Sequence, residues 1–461
     1  MEVIWRKYQS ESIHGGSGYP GIFKALKDHQ STLLVLPTGT GKTIVFSEVV
    51  EACYVKKHRK AMIIAHREEL INQAYDKLLS TTSIDSWDIG VEMAGNHAAD
   101  HHGVVIGSIQ TLTQKRLEKF RPEDFGLIVI DECHHAVADS YDRIFKHFSG
   151  SKHLGVTATP DRMDGKGLGK VFNSVAYVYE ISSAIADGWL VDITGEVIYD
   201  ESSLDLSQVR TTAGDLNLGD LGTVMTSPKA LALVAKGVVE KSMGRPTMIF
   251  ATQVDHAEAL SETINMIEPG SCVWVDGKTE KNERESALSK LASGEVKRVV
   301  NCMLYTEGVD VPEVSCIAIA RPTKSRSLYA QMVGRGTRLL GSTLEESIAR
   351  GKSDCHILDF SGASGKHRLV SCLDVLDSSE DAQVRAAAME RVQSGRVSIR
   401  VALDEAAVQI AQEERAKALK DIRYRTEVMS NPFTILGIRP RPGMAGGAPG
   451  HRSTAATARQ A

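Results

Sequence analysis

Short, uninterrupted runs of branched apolar residues, spaced by stretches of helical periodicity, set the tightest limit on what this chain can fold into. In the first half they are TLLVL (32–36), AMIIA (61–65), GVVIG (103–107), GLIVI (126–130) and HLGVT (153–157). A strand with one wet face alternates apolar and polar residues. These runs do not, so they suit strands buried on both faces. Between the first two, Phe46, Val49, Val50 and Cys53 recur at helical spacing. Strands alternating with helices predict a parallel, doubly wound sheet. The alternation resumes with TMIF (247–250), CVWV (272–275), RVVNC (298–302), CIAIA (316–320) and CHILD (355–359). A single core stops growing at roughly 250–300 residues. A chain of 461 residues is therefore expected to hold two such α/β domains in tandem.

The composition changes mark the expected boundaries. Residues 1–194 form the first sheet domain. Residues 195–225, rich in Gly, Ser, Asp and Leu, read as a linker with some local helix. Residues 226–370 form the second domain. Residues 371–440, including DAQVRAAAMERV and DEAAVQIAQEERAKALKDIRYR, favour helix and read as a solvated helical extension. Its helices, within 376–430, are where a protein partner would dock. Residues 441–461 have the composition of a disordered tail.

No run approaches the roughly 18 apolar residues of a membrane span, and MEVIWRKYQS lacks a signal-peptide pattern. A cytoplasmic protein with no membrane partner is expected. The seven cysteines form no CxxC pair and several lie in apolar runs, so they read as reduced core thiols rather than zinc ligands. With a net charge of −4, any polyanion must be met by local positive charge in a cleft.

Three segments carry chemistry. PTGTGKT runs from Pro37 through Thr38, Gly39, Thr40, Gly41 and Lys42 to Thr43, between an apolar run and a helical pattern. That is the setting of a phosphate-binding loop, in which backbone N–H groups and a helix N-terminus face phosphate oxygens. Lys42 is placed to reach the β and γ phosphates, and the Thr43 hydroxyl to ligate Mg²⁺. The first glycine position of the general pattern is Leu36 here. DECHH (131–135) follows GLIVI, which puts two carboxylates at the C-terminal edge of a strand. Asp131 is expected to hold Mg²⁺, and Glu132 to orient and deprotonate a water. Adjacent Cys133, His134 and His135 diverge on a turn and do not suggest a metal site. QMVGRGTR (331–338) places Arg335 and Arg338 three apart, on one face of a helix or turn, which suits recognition of a γ-phosphate.

With these motifs in order, the sequence resembles the superfamily 2 helicases of the DExH type. RKYQ (6–9), PTGTGKT, HREELINQA (66–74), GSIQTL (107–112), DECH, TATP (157–160), MIFATQVDHAEAL (248–260), TEGVDVP (306–312) and QMVGRGTR match the family's motif series over residues 1–370. MIFATQVDHAEAL, RPTKSRSLYAQMVGRGTR and CHILDFSG are similar to bacterial RadD-type and phage-encoded repair or replication helicases. The Cys-rich zinc region of the RadD type has no counterpart in this chain.

The resemblance implies two RecA-like domains with ATP and Mg²⁺ between them. Gln9 would read adenine, and Gln331 would join Arg335 and Arg338 as the second domain's catalytic contribution. Gly308 and Asp310 would link nucleotide to strand binding, and Thr157 and Thr159 would couple the two. Arg67, Ser108, Gln110, Thr111 and Thr306 would hold the nucleic-acid backbone. The expected activity is nucleic-acid-stimulated ATP hydrolysis, with DNA favoured over RNA because DECH, TAT and QxxGRxxR resemble the DNA-acting relatives. An RNA-remodelling helicase, a motor subunit of a restriction-type complex and a scaffold with a degenerate ATPase are the alternatives. The short stretch between Asp310 and Gln331 leaves no room for a long strand-separating hairpin, so translocation is a firmer expectation than unwinding.

Overall fold

The computed structural model describes residues 5–136, 139–159, 168–198, 204–212, 214–306, 308–360, 370–376, 382–393, 395 and 397–421. Pro160 of TATP, the end of the last helical segment from residue 422 on and the expected tail 441–461 lie outside them. The chain divides into residues 1–410, which hold both sheets, and residues 411–461, of which only the end of the helix Ile399–Asp421 is described.

The first sheet has seven strands: β1 (Ser31–Val35), β2 (Lys60–Ala65), β3 (Ile89–Glu92), β4 (Val104–Ser108), β5 (Phe125–Ile130), β6 (Lys152–Thr157) and β7 (Ser174–Val178). Their order is β3-β4-β2-β5-β6-β1-β7, and every pairing is parallel. The five continuous apolar runs are the five central strands. β3 and β7 are edge strands, one short and the other only half-buried along its length, so neither needs an uninterrupted apolar run.

The second sheet contains β8 (Asp192–Val197), β11 (Thr247–Ala251), β12 (Cys272–Val275), β13 (Arg298–Cys302), β14 (Cys316–Ile319), β15 (Asp354–Asp359) and β16 (Val397–Ser398). Its order is β12-β13-β11-β14-β15-β8-β16, parallel except for β16. Between β8 and β11 lies a two-residue hairpin, β9 (Thr211–Thr212) with β10 (Asp215–Leu216), followed by the helix Leu218–Met225. The structure thus places residues 192–197 in the second sheet, inside the stretch read as the close of the first domain and the start of a linker. DITGEV alternates buried and half-buried positions near an edge, which is why no apolar run announces it.

The helical extension also differs from the solvated appendage expected. β16 adds to the sheet, and Ala388, Val392, Ile399, Ala402 and Ala406 are buried in the core. Small side chains let these helices lie close, so their buried stripe is weakly apolar in sequence. All seven cysteines are free, six of them buried. Among the described residues no helix is long and apolar enough to cross a membrane.

Candidate functional site: a nucleotide cleft between two sheet edges

PTGTGKT turns from β1 into the helix Lys42–Glu51. Gly41 caps that helix at φ 85°, left-handed backbone that favours glycine, and a Cβ there would lie 2.7 Å from Gln9 Nε2. The loop is braced from outside the cleft. The Pro37 carbonyl accepts from the Thr40 hydroxyl at 2.7 Å, and the Thr40 carbonyl accepts from the Tyr8 hydroxyl at 2.7 Å and Gln9 Nε2 at 3.0 Å. Gln9 Oε1 accepts from Arg6 N–H at 3.1 Å, so both ends of its amide are engaged by the chain itself. Gln9 therefore stands behind the loop, as a brace, and not on the cleft wall where an adenine reader was expected.

The carboxylates follow β5. Asp131 and Glu132 are each 5% exposed. Lys42 Nζ contacts Glu132 Oε1 at 2.5 Å, so the loop's cation and the second carboxylate are paired. Glu132 has left-handed backbone at φ 47°, which costs a branched or long side chain of the order of 1 kcal/mol and aims it off the strand axis. The polar contacts continue across the domain seam: His134 Nδ1 lies 3.4 Å from Glu132 Oε2, and its Nε2 lies 3.3 Å from Gln331 Nε2. Cys133 points the other way, into an apolar layer with Val35, Ile64 and Ile130, where burial pushes its thiol well above the ordinary value. Thr157 and Thr159, at the end of β6, bond to one another, and the Thr157 carbonyl accepts from Leu36 N–H at 3.0 Å.

Arg335 and Arg338 do not share a helix face. The helix Arg326–Gly334 ends before either, and between them Gly336 packs against Cys355 and Ile317 with no room for a Cβ. Arg335 donates to the Thr306 carbonyl at 2.8 and 3.1 Å and to the Val309 carbonyl at 2.6 Å. Arg338 pairs with Asp310 and lies over Gly39 of the phosphate loop. Both still line the cleft, whose volume is about 280 Å³. Thr38, Gly39, Gly41, Lys42, Thr43, Asp131, Glu132, Gly308 and Asp310 complete its expected wall. Leu70, Gln73, Lys77, Leu339 and the Arg6–Trp189 pair complete it unannounced. Arg6 lies 4.4 Å over the Trp189 ring, and Tyr8 stacks on Tyr179 at 4.3 Å behind it. No local spacing joins residues so far apart in sequence.

Of the expected nucleic-acid contacts, Arg67 is already spent. It crosses the seam to donate to the Met303 and Leu304 carbonyls at 3.1 Å and to Thr306 Oγ1 at 3.4 Å. Thr306 and Ser108 are buried. Ser108 donates to Gln110 Oε1, Gln110 Nε2 to the His66 carbonyl, and Thr111 Oγ1 accepts from Ala94 N–H. Gln110 is exposed and Thr111 half-buried. Another contact between the domains, Arg284 with Glu69 at 3.4 Å, sits beside Gly308, where an added Cβ would lie 2.5 Å from Glu69 Cβ.

Residues 2–162 match the family described as type III restriction enzyme, res subunit, and residues 229–339 match the helicase conserved C-terminal domain. IRC3 of Saccharomyces cerevisiae, whose name assigns it provisionally to the ATP-dependent helicases, is 34% identical over 348 residues, 71% of this chain and 48% of that one. The chain belongs to the superfamily 2 helicases. Other relatives of this superfamily 2 protein include the DNA 3′-5′ helicase XPB of Mycobacterium tuberculosis, 27% identical over 66% of this chain and 54% of its own. A type I restriction enzyme EcoAI endonuclease subunit of Escherichia coli is 25% identical over 72% of this chain and 44% of its own. The chain thus spans about half the length of these curated relatives. Among solved structures, the restriction enzyme LlaBIII bound to DNA superposes with a TM-score of 0.54 at 17% identity, over 77% of this chain and 28% of that one. A likeness at that identity speaks for the two-domain fold.

Proposed function

We propose that this protein hydrolyses ATP between its two sheet domains and uses the cycle to move along nucleic acid, DNA in preference to RNA. The observation that carries the reading is the cleft itself. A phosphate loop, two buried carboxylates and two arginines from the opposite domain line one cavity.

The Lys42–Glu132 pair compensates both charges in the cleft. Entering phosphates draw Lys42 away, which frees Glu132 to take a proton from the attacking water. Thr43 and Asp131 suit Mg²⁺, since a hydroxyl and a carboxylate on one wall are the hard oxygen donors that ion prefers. These residues would hold the ion, which would supply positive charge against that of the phosphates. Arg338, on the seam beside Gly39, exchanges Asp310 for the γ-phosphate. Arg335 keeps the 306–309 segment in place beneath it. The γ-phosphate is then the one group gripped from both sides, and its loss loosens the seam. His134 and Gln331 carry the change from Glu132 to the second domain. Arg67 is a clasp on that seam in this state, and takes a backbone phosphate only when the clasp opens.

The DECH, TAT and QxxGRxxR variants favour DNA. The test is steady-state ATP hydrolysis by the purified protein alone and with single-stranded DNA, duplex DNA or RNA, against Lys42→Ala. Stimulation by DNA that vanishes in the variant is expected. Stimulation by RNA alone moves the function to RNA remodelling, and no turnover with any of them refutes an independent motor.

A further inference from the structure

Three arginines among the described residues are buried: Arg298, Arg321 and Arg335. Arg298 is matched by Glu268, Ser271 and Ser242, and Arg335 by the Thr306 and Val309 carbonyls. Arg321 has no such match. It is 5% exposed, and its Nε and Nη1 are buried without a hydrogen-bond partner.

The carboxylate of Asp215 supports its charge from nearby, but no group around it accepts from Nε or Nη1. Burial pulls the guanidinium below its ordinary pKa, and Asp215 and Cys302 oppose this. Asp215 is already committed, accepting from the Thr323 hydroxyl and Lys324 N–H at 2.6 Å each. The Cys302 thiol is held protonated, because burial raises its pKa. Asp276, which acts on Cys302, accepts from Lys278 N–H and from the Thr279 N–H and hydroxyl. A buried lysine can shed its proton, whereas a guanidinium keeps its charge. A buried guanidinium with two donors left without acceptors is costly, so a fold that keeps one has reason to expect an anion's oxygens there.

Its place in the fold says which anion. β14 pairs with β11 so that Ile319 lies level with Phe250. Arg321 lies two residues past the end of β14, as Thr252 follows the end of β11, just before the helix Val254–Ile267 begins. Cys302 ends the neighbouring β13. This is the C-terminal edge of the sheet, where open α/β sheets receive ligands, and the helix N-terminus adds a favourable dipole.

We propose that Arg321, between the ends of β11, β13 and β14, is a seat for a backbone phosphate of the nucleic-acid strand. The proposal rests on the motor reading and adds to it a residue outside the motif series. A guanidinium fork holds a phosphate through two oxygens and reads no base, as a stepping protein requires.

The test compares wild type with Arg321→Met and Arg321→Lys in the full chain. Binding of fluorescent oligothymidylate is measured over a salt series, and thermal melting with and without inorganic phosphate. Arg321→Met is expected to weaken binding roughly tenfold and to lower the slope of log affinity against log salt by about one, with Arg321→Lys intermediate. Its melting temperature should hold or rise, since only an unpaired charge is removed. Unchanged affinity and slope in Arg321→Met overturn the seat, and a lowered melting temperature with them would make Arg321 a structural group. Phosphate-dependent stabilisation with unchanged oligonucleotide binding also overturns it, in favour of a free-anion site. No binding by wild type defeats the motor reading and the seat with it, which separates that failure from failure of the seat alone.

Discussion

The C-terminal edges of the two sheets carry charge in different ways. On the first, the charges answer one another within one wall: Lys42 meets Glu132, and Asp131 Oδ1 accepts from the Glu132 N–H. On the second, the cations turn elsewhere. Arg335 folds onto backbone carbonyls, Arg338 leans on a half-exposed Asp310, and Arg321 is buried with two nitrogens unpartnered. The difference teaches a division of labour. Under the proposed function, the first edge would be a self-compensated chamber that phosphate prises open, and the second a set of grips for groups that come from outside.

The sharpest way to break this comparison is to remove chemistry from the first edge. Glu132→Gln should lower turnover roughly 10³-fold while nucleotide still binds. Hydrolysis assays beside a fluorescent-nucleotide titration decide it, and a variant that turns over normally would move the chemistry off this wall. On the second edge, Arg338→Ala should cost about 10²-fold in kcat with a smaller change in KM, because its grip tightens on the γ-phosphate as charge develops. A loss confined to KM would make Arg338 a ground-state contact only. The seam comes next. Arg67→Ala frees three acceptors on the 303–306 segment. The ratio of nucleic-acid-stimulated to unstimulated hydrolysis should fall about tenfold. An unchanged ratio would show that Arg67 holds shape without coupling.

The smallest effect is on stability, and here the two domains should behave alike. Burial lowers the pKa of His153 in the first domain and His256 in the second to about 4, from an ordinary 6.5. His256 Nδ1 accepts from Thr252 N–H at 3.2 Å, which only the neutral ring can do. Between those values the unfolded chain binds more protons than the folded one. Stability therefore rises with pH through this window and is lost as pH falls from about 6.5 to 4. Denaturant melts of His153→Gln and His256→Gln over that range should show a shallower acid loss than wild type. An identical slope would mean that other groups set the acid limit.

Much of this was legible in sequence for a physical reason. Strands buried on both faces must be apolar throughout, so the central strands of both sheets announced themselves. The edge strands β3 and β7, and β8 one place in from an edge, have a wetter side and did not. PTGTGKT and DECH were legible because phosphate chemistry needs those residues adjacent in the chain. Contacts across the seam were not. Gln9 proved to brace Thr40 from behind, Arg67 to reach the Met303 carbonyl, and Arg335 and Arg338 to part after Gly334. The Arg67 contact depends on where the second domain lies against the first, the Gln9 brace on packing within the first domain, and the parting of the arginines on where the helix Arg326–Gly334 ends. The Arg6–Trp189 wall and the unmatched Arg321 are products of tertiary packing and leave no spacing to read.

The central claim is that hydrolysis in the cleft drives movement along nucleic acid. Displacement of a triplex-forming third strand from duplex DNA, together with displacement of streptavidin from biotinylated single strands, tests it most directly. ATP should support displacement of at least one of these blocks, while a non-hydrolysable analogue, or ATP with Glu132→Gln, should support neither. Nucleic-acid-stimulated hydrolysis with both blocks left in place would contradict the account.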